Sequence, residues 1–206
     1  MKENKYDDNI FFQKYSQMSR SQQGLAGAGE WETLRKLLPD FKDKRVLDLG
    51  CGYGWHCIYA MEHGASSVVG VDISHKMLEV AKEKTHFPQV EYKCCAIEDV
   101  EFPEESFDVI LSSLAFHYVA DYEILVKKIY RILKSGGKLV FTVEHPVFTA
   151  YGTQDWHYNE KGEILHFPVD NYYYEGKRTA VFLGEKVTKY HRTLTTYLNT
   201  LLSNSF

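Results

Sequence analysis

Residues 46–54, VLDLGCGYG, carry the clearest chemical signal in the sequence. An apolar run ends there in three glycines at alternate positions, Gly50, Gly52 and Gly54, and a helical pattern over residues 55–63 follows. Glycines let the backbone turn tightly and approach a ligand closely, and the first turn of a helix offers free N–H groups. The segment therefore predicts a strand, a ligand-binding turn and a helix that suit a nucleotide-like group.

The turn differs from two common phosphate-binding loops. The dinucleotide fingerprint G-x-G-x-x-G needs a third glycine where this chain has Trp55, and no Gly-Lys-Ser/Thr of a P-loop follows. A second acid, Asp72, ends the next apolar run, VVGVD at residues 68–72. Because an acid at that point can accept hydrogen bonds from both hydroxyls of a ribose, the pattern indicates a ribose-containing ligand without a required phosphate.

These segments belong to an alternation of short apolar runs and helical patterns between residue 45 and about residue 148, which predicts βαβ units. We expect helices after the caps Ser74 and Asp121, the second one ended by residues 135–137. The predicted strands are residues 45–49, 67–72, 90–95, 107–112 and 138–144. The predicted fold class is α/β, a three-layer, doubly wound, mostly parallel sheet of Rossmann-like type.

The flanks of this core have a different character. Residues 1–28 predict a polar arm dotted with aromatic side chains, and residues 29–38 predict a short helix closed by Pro39. Aromatic residues without helical spacing follow the core and predict an irregular insertion with a hairpin from residues 172–174 and 180–183. We interpret the chain as one domain in four parts: an arm (1–28), a core (29–148), an insertion (149–192) and a last helix (193–206).

Composition excludes several classes of protein. The chain has 206 residues, and its 24 basic and 28 acidic side chains give a net charge of −4, which argues against nucleic acid as an electrostatic partner. The four cysteines form no CxxC pair and the nine histidines form no HxH or HxxxH pair, so we predict no metal site. Because no apolar run suits a signal peptide or a membrane span, we expect a cytoplasmic protein without a membrane partner.

Five ordered segments make the sequence resemble the class I S-adenosylmethionine-dependent methyltransferases over roughly residues 27–148. They are VLDLGCGYG (46–54), VVGVDIS (68–74), CAIEDVEF (95–102), FDVILSSLAFHYV (107–119) and LKSGGKLVFTVEHP (133–146). Each is weak evidence alone, whereas the ordered set is specific. The resemblance implies S-adenosylmethionine as the cofactor and methyl transfer as the activity. We expect a small-molecule acceptor whose identity and reacting atom the sequence leaves open.

The resemblance also implies a set of cofactor-binding residues that share a place at or just after the end of a strand. They are Asp48, Gly50, Cys51, Gly52, Tyr53, Asp72, Ile73, Met77, Ala96, Ile97, Glu98, Ser112, Ser113, Leu114 and His117. The glycine turn would hold the methionine end of the cofactor and Asp72 the ribose, with Ile73 and Met77 near the adenine. Ala96 stands where the family often has an aspartate that bonds the adenine amino group, so a backbone or Glu98 contact would replace it.

Two histidines are candidates for catalysis. Methyl transfer from a sulfonium is an in-line displacement, so positioning supplies most of the catalysis and no protein nucleophile is required. His117 would face the sulfonium, and His145 ends the fifth predicted strand, where open α/β sheets bind ligands. For each histidine two roles stay open, a base at the acceptor site or a structural residue. Three aromatic residues are candidates to stabilise the cationic sulfur: Tyr15, Tyr53 and Trp55.

Two other functions stay open, a non-catalytic S-adenosylmethionine-binding protein and an NAD(P)-dependent reductase, the latter disfavoured by Trp55. The arm and the insertion would form a lid and an acceptor pocket over the sheet. Members of the resembled family usually add two strands after the last helix, whereas here that helix runs into Phe206. We therefore expect a sheet short of its last strands, or one whose edge is covered by strands from residues 170–190 or by a partner chain.

Overall fold

A five-stranded parallel sheet forms the centre of the computed structural model, which describes Lys2 and residues 4–206. The strands are β1 (Arg45–Leu49), β2 (Ser67–Asp72), β3 (Val90–Cys94), β4 (Phe107–Ser113) and β5 (Leu133–Thr142). Their order across the sheet is β3-β2-β1-β4-β5, and every neighbouring pair is parallel. The predicted α/β class and parallel sheet are confirmed.

Helices cover both faces of the sheet and also occur in the segments before and after it. They are α1 (Asn9–Ser16), α2 (Ser19–Gln22), α3 (Trp31–Leu34), α4 (Trp55–Glu62), α5 (His75–Lys84), α6 (Tyr122–Ile132), α7 (Pro146–Ala150) and α8 (Leu194–Ser203). The side chains of Ser74, Asp121 and Thr193 accept hydrogen bonds from backbone N–H groups in the first turns of α5, α6 and α8. Each satisfies a donor that the helix itself leaves free, so the predicted caps at Ser74 and Asp121 are confirmed.

Alternating side chains of the strands divide the core into two layers. Leu47 and Leu49 of β1 face a cluster that includes Leu125 and Ile129 of α6 and Tyr197 of α8. The opposite face carries Val46, Val68 and Leu111, which pack with Cys57 and Ala60 of α4 and Leu78 of α5. Strands covered on both sides explain the nearly continuous apolar runs of the sequence.

The strand order changes direction between β1 and β4. From β1 the chain first builds outward to β2 and β3, then returns to place β4 on the other side. In open α/β sheets, ligands bind in the crevice outside the carboxyl ends of the strands at such a point. The glycine turn that follows β1 therefore lies where the topology itself favours a binding site.

Three local predictions are wrong. The helix expected over residues 29–38 is only α3, because the N–H groups of Lys36 and Leu37 bond three residues back and tighten the chain out of the α-helix. Strand β5 begins at Leu133 rather than at residue 138. Residues 135–137, expected to end a helix, form an irregularity inside β5. Phe107 of β4 pairs with Leu133, but Val109, two residues later, pairs with Lys138. Gly136 has a φ of +73° within this irregularity.

The expected hairpin is also misplaced. A long antiparallel pair, β8 (Gly176–Phe182) and β9 (Glu185–His191), turns at Leu183 and Gly184, both with positive φ. Tyr173 and Tyr174 lie outside it and are exposed. A shorter pair, β6 (His157–Tyr158) and β7 (Ile164–His166), precedes it. Both pairs are separate from the five-stranded sheet, so the expectation that residues 170–190 extend its edge is wrong.

The helices of the described chain are short. Within residue 2 and residues 4–206, none combines the length and the apolar character that crossing a bilayer demands. The same residues hold no group of three or more His, Cys, Asp or Glu side chains arranged to bind a metal ion.

Candidate active site

A cavity of about 530 Å³ lies at the carboxyl ends of β1, β2 and β4, a size within the range of small-molecule sites. The predicted cofactor-binding residues line it except for Asp48 and Ser112, and His145 is also outside the lining. The arm contributes another wall with residues that the cofactor assignment did not include, among them Tyr6, Tyr15, Met18, Arg20, Ser21 and Leu25. The cavity thus lies between the sheet and the arm.

The glycine turn is held tightly against its neighbours. The N–H groups of Gly50 and Cys51 both donate to the Val71 carbonyl, at 2.8 and 2.9 Å. Gly50 has a φ of +79°, and a side-chain carbon there would stand 2.5 Å from Cβ of Ala115. Only glycine meets both conditions without strain. The turn therefore brings bare backbone to the cavity wall beside β4.

Asp72 joins this turn to the start of α5. Its Oδ2 accepts the Gly52 N–H at 2.8 Å, and its Oδ1 accepts the Ser74 N–H at 2.9 Å. Burial raises the pKa of Asp72, although both hydrogen bonds favour its ionised form. A carboxylate oxygen can accept more than one hydrogen bond. Both oxygens therefore keep acceptor capacity beside the cavity.

Asp48 and Ser112 support the turn from behind. Asp48 is fully buried, its Oδ2 accepts from the Cys57 thiol at 3.5 Å, and its Oδ1 has no protein partner. Burial raises its pKa to about 7. The Ser112 hydroxyl donates to the Leu49 carbonyl at 2.8 Å and so ties β4 to the end of β1.

The far end of the cavity is apolar on one side. Ile73, directly after β2, and Met77 of α5 line it. Ala96 and the one-turn 3₁₀ segment that follows it, with Ile97 and Glu98, line it after β3. The Lys128 ammonium donates to the Glu98 carbonyl at 2.8 Å, which fixes this turn. A flat apolar ring could lie here between aliphatic side chains and the backbone.

The end of β4 carries backbone strain. Leu114 has a φ of +53°, a conformation that costs a side-chain-bearing residue roughly 1–3 kcal/mol. Its N–H donates to the Thr142 carbonyl at 2.9 Å, which holds the turn against β5. Ser113 donates to Glu30 at 3.1 Å, and Glu30 also pairs with Arg20 at 2.6 Å. This strained turn leads directly to His117.

His117 belongs to a cluster that the sequence did not reveal. It is 1% exposed, and burial lowers its pKa to about 4, so the ring is neutral near pH 7. Its Nε2 lies 3.9 Å from Oε1 of Glu144. Burial alone would raise the pKa of Glu144, but the charge of His117 in its protonated form, the Lys189 ammonium and the Gln154 amide hold it below its ordinary value.

Lys189 is the buried cation of this cluster. Its Nζ lies 2.5 Å from Glu144 Oε1 and 2.8 Å from the Gln154 side-chain oxygen. It comes from β9, on the same Glu144 oxygen that faces His117, and the ammonium is almost completely buried. Glu144 and Lys189 are 45 positions apart, and no local motif links them. The only signal in the sequence is that Lys189 lies in a β-rich segment.

His145 occupies a different place. Its Nδ1 accepts the Val147 N–H at 3.2 Å and caps α7. The ring is exposed and does not line the cavity. Among the aromatic candidates, Tyr15, Tyr53 and Trp55 all line it.

Residues 47–141 match the family model of a methyltransferase domain. In structure, the chain is similar to a Listeria monocytogenes protein provisionally described as an S-adenosylmethionine dependent methyltransferase, with 58% identity and a TM-score of 0.82 over 85% of this chain and 83% of that one. An S-adenosylmethionine dependent methyltransferase from Mesorhizobium loti shares 41% identity, with a TM-score of 0.82 over 89% of this chain and 83% of that one. An uncharacterized Haemophilus influenzae protein is 36% identical over 214 residues, 98% of this chain and 82% of that protein.

Proposed function

This chain belongs to the S-adenosylmethionine-dependent methyltransferases, and from that premise we propose that the cavity under the arm holds the cofactor beside a small-molecule acceptor. The observation that carries the proposal is the joined pair of Asp72 and the glycine turn at the point where the strand order reverses. S-adenosylmethionine, when bound, supplies an electrophilic methyl group on a sulfonium.

The residues present fit an adenosyl group. Asp72 accepts one N–H on each oxygen and keeps further lone pairs for two ribose hydroxyls. Ile73, Met77 and Ile97 offer an apolar slot for the adenine. Ala96 provides no side-chain hydrogen bond, so recognition of the adenine amino group falls to the backbone of the 3₁₀ turn or to Glu98.

Asp48 acts on the cofactor indirectly in this proposal. Since its carboxyl lies behind the glycine turn and outside the cavity lining, it supports the turn rather than binding the methionine end itself. Gly50 and Gly52 let the backbone approach that end closely. The faces of Tyr15 and Tyr53, whose ring centroids lie 5.9 Å apart, are suited to a cationic sulfur.

A small acceptor suits the enclosure. The arm closes one side of the cavity with Tyr6 and Tyr15, and β8 and β9 close another with Phe182, Val187 and Tyr190. Walls on these two sides leave less room for a bulky acceptor than for a small molecule. The net charge of −4 also gives no attraction for nucleic acid.

Isothermal titration with S-adenosylhomocysteine tests the ribose contact. We expect Asp72→Ala to weaken binding about 10- to 100-fold, because a charge-assisted hydrogen bond to a buried partner contributes about 1.5–3 kcal/mol. Asp108→Ala is the matched control, since Asp108 pairs with Lys134 and the Arg45 N–H at the opposite end of the strands. Equal affinities of the two variants would refute the assignment of Asp72.

A further inference from the structure

The hydrogen bonds of His117 determine which of its ring nitrogens carries the proton. The backbone N–H of Glu144 points at Nδ1 over 3.5 Å. A backbone N–H can only donate, so this long contact favours the neutral tautomer in which Nδ1 is unprotonated and Nε2 carries the hydrogen. His117 therefore presents a donor at Nε2, and its one basic nitrogen already faces a donor of the protein.

Glu144 presents the complementary group. Lys189 and Gln154 hold its two carboxylate oxygens, at 2.5 Å on Oε1 and 2.8 Å on Oε2. The charged groups that act on His117 are Glu144, Lys189 and Arg192. The ammonium of Lys189 keeps Glu144 ionised, and Oε1 retains acceptor capacity because an oxygen of a carboxylate can accept two hydrogen bonds.

A gap separates the donor from the acceptor. Nε2 of His117 and Oε1 of Glu144 are 3.9 Å apart, beyond the range of a direct hydrogen bond. Both residues line the cavity, next to Tyr118 and Tyr190. An atom with both a lone pair and a hydrogen can satisfy both groups at once, as bridging waters do across such distances.

We propose that His117 and Glu144 form a two-point site for the acceptor atom, and that this atom is the oxygen of a neutral hydroxyl. It accepts a hydrogen bond from His117 Nε2–H on one lone pair, donates its own hydrogen to Glu144 Oε1, and keeps its second lone pair for the methyl carbon. A thioether lacks the hydrogen, a neutral amine has only one lone pair, and a carboxylate acceptor would meet the Glu144 charge. The site therefore selects hydroxyl acceptors. This inference rests on the proposed function, since it takes methyl transfer in this cavity as given.

The reaction balances on these groups. The bond from the sulfonium sulfur to the methyl carbon breaks and the sulfur keeps its electron pair, while the acceptor lone pair forms the new bond to that carbon. The hydrogen of a hydroxyl acceptor passes to Glu144 as a proton. A weakly basic carboxylate suffices, because this hydrogen becomes strongly acidic as positive charge develops on the acceptor oxygen. His117 acts here as a donor that orients the acceptor, and it is not the base.

Nitrogen NMR of protein labelled at histidine tests the site without an acceptor. With His117→Gln used to assign the signal, we expect Nδ1 unprotonated and Nε2 protonated between pH 6 and 8, both in free protein and with S-adenosylhomocysteine. In Glu144→Gln the tautomer should persist, because the donor to Nδ1 is a backbone N–H. Protonated Nδ1 with free Nε2 would overturn the proposal and make His117 the base.

A high-resolution crystal structure of the complex with S-adenosylhomocysteine, grown without an acceptor, tests the geometry. Water is the probe, because it carries both the lone pair and the hydrogen that the site would use. We expect one water within about 3.2 Å of both Nε2 and Oε1. A direct contact between the two groups with no site between them would refute the proposal. Failure of S-adenosylhomocysteine to bind would instead refute the proposed function. The two failures can be distinguished, because the His117 tautomer is also measured in the free protein.

Discussion

Asp7 ties the N-terminal arm to the first turn of α5, and Asp7→Ala should release that tie. Its Oδ1 accepts from the Ser74 hydroxyl at 2.6 Å and the Lys76 N–H at 3.1 Å, and its Oδ2 accepts from the His75 N–H at 3.3 Å. Partial burial acts to raise the pKa of Asp7, but these donors hold it below its ordinary value. The carboxylate therefore caps α5 from outside the helix.

The expected effect follows from this capping. Loss of a cap side chain costs about 0.5–2 kcal/mol, and loss of an anion at a helix N-terminus costs about 0.3–1 kcal/mol more. A total of about 2 kcal/mol would raise the open fraction of the arm about 30-fold. Hydrogen exchange followed by mass spectrometry should therefore show residues 5–16 exchanging about 10 to 30 times faster in Asp7→Ala, since their exchange requires opening.

The neighbouring Asp8 supplies the control. Its carboxylate accepts from the N–H groups of Ile10 and Phe11 and caps α1 within the arm. Asp8→Ala removes the same charge, yet it should speed exchange mainly in the first turn of α1. If Asp7→Ala leaves exchange in residues 5–16 unchanged, or if both variants give the same pattern, the tie through Asp7 is not what holds the arm closed.

Two further variants test the turn and its support. Gly54 and Gly136 have φ values of +75° and +73°, so replacing either with alanine costs about 1–2 kcal/mol of stability. At Gly54 the new Cβ would also stand 2.2 Å from the Tyr92 hydroxyl, whereas Gly136 has no such neighbour. Urea unfolding should show Gly54→Ala less stable than Gly136→Ala by about 1–3 kcal/mol, and equal losses would contradict the packing described. Burial raises the pKa of Asp48 to about 7, above about 3.9 in the unfolded chain, so its contribution to stability is lost as pH rises from about 4 to 7. The melting temperature of Asp48→Asn relative to the unmodified protein should therefore increase from pH 5 to pH 8, and a difference independent of pH would refute the raised pKa.

The sheet could be predicted because its signals are local. The apolar runs of β1 and β2 and the capping side chain of Ser74 each act within a few residues. The hairpin was misplaced because the tyrosines at 172–174 resemble a strand by composition, whereas the turn is set by the positive φ of Leu183 and Gly184. The strand irregularity at Gly136 has the same sequence signature as a helix end.

Most of the residues predicted to bind the cofactor line one cavity, whereas the arm and the Glu144–Lys189 cluster were not predicted. The glycine turn and Asp72 belong to one βαβ unit. Their spacing in the sequence therefore predicts that they lie close together in the structure. Asp7 meets Ser74 across 67 positions, and Lys189 meets Glu144 across 45. Such contacts depend on how the arm and the β8–β9 pair pack on the sheet, and no local pattern specifies that packing.

A crystal structure of the protein with S-adenosylhomocysteine tests the central claim most directly. We expect the adenosyl group in the cavity under the arm, with both ribose hydroxyls on Asp72, the adenine beside Ile97, and the sulfur facing the side of His117 and Glu144. Ligand bound outside this cavity, or a ribose that makes no contact with Asp72, would contradict the account.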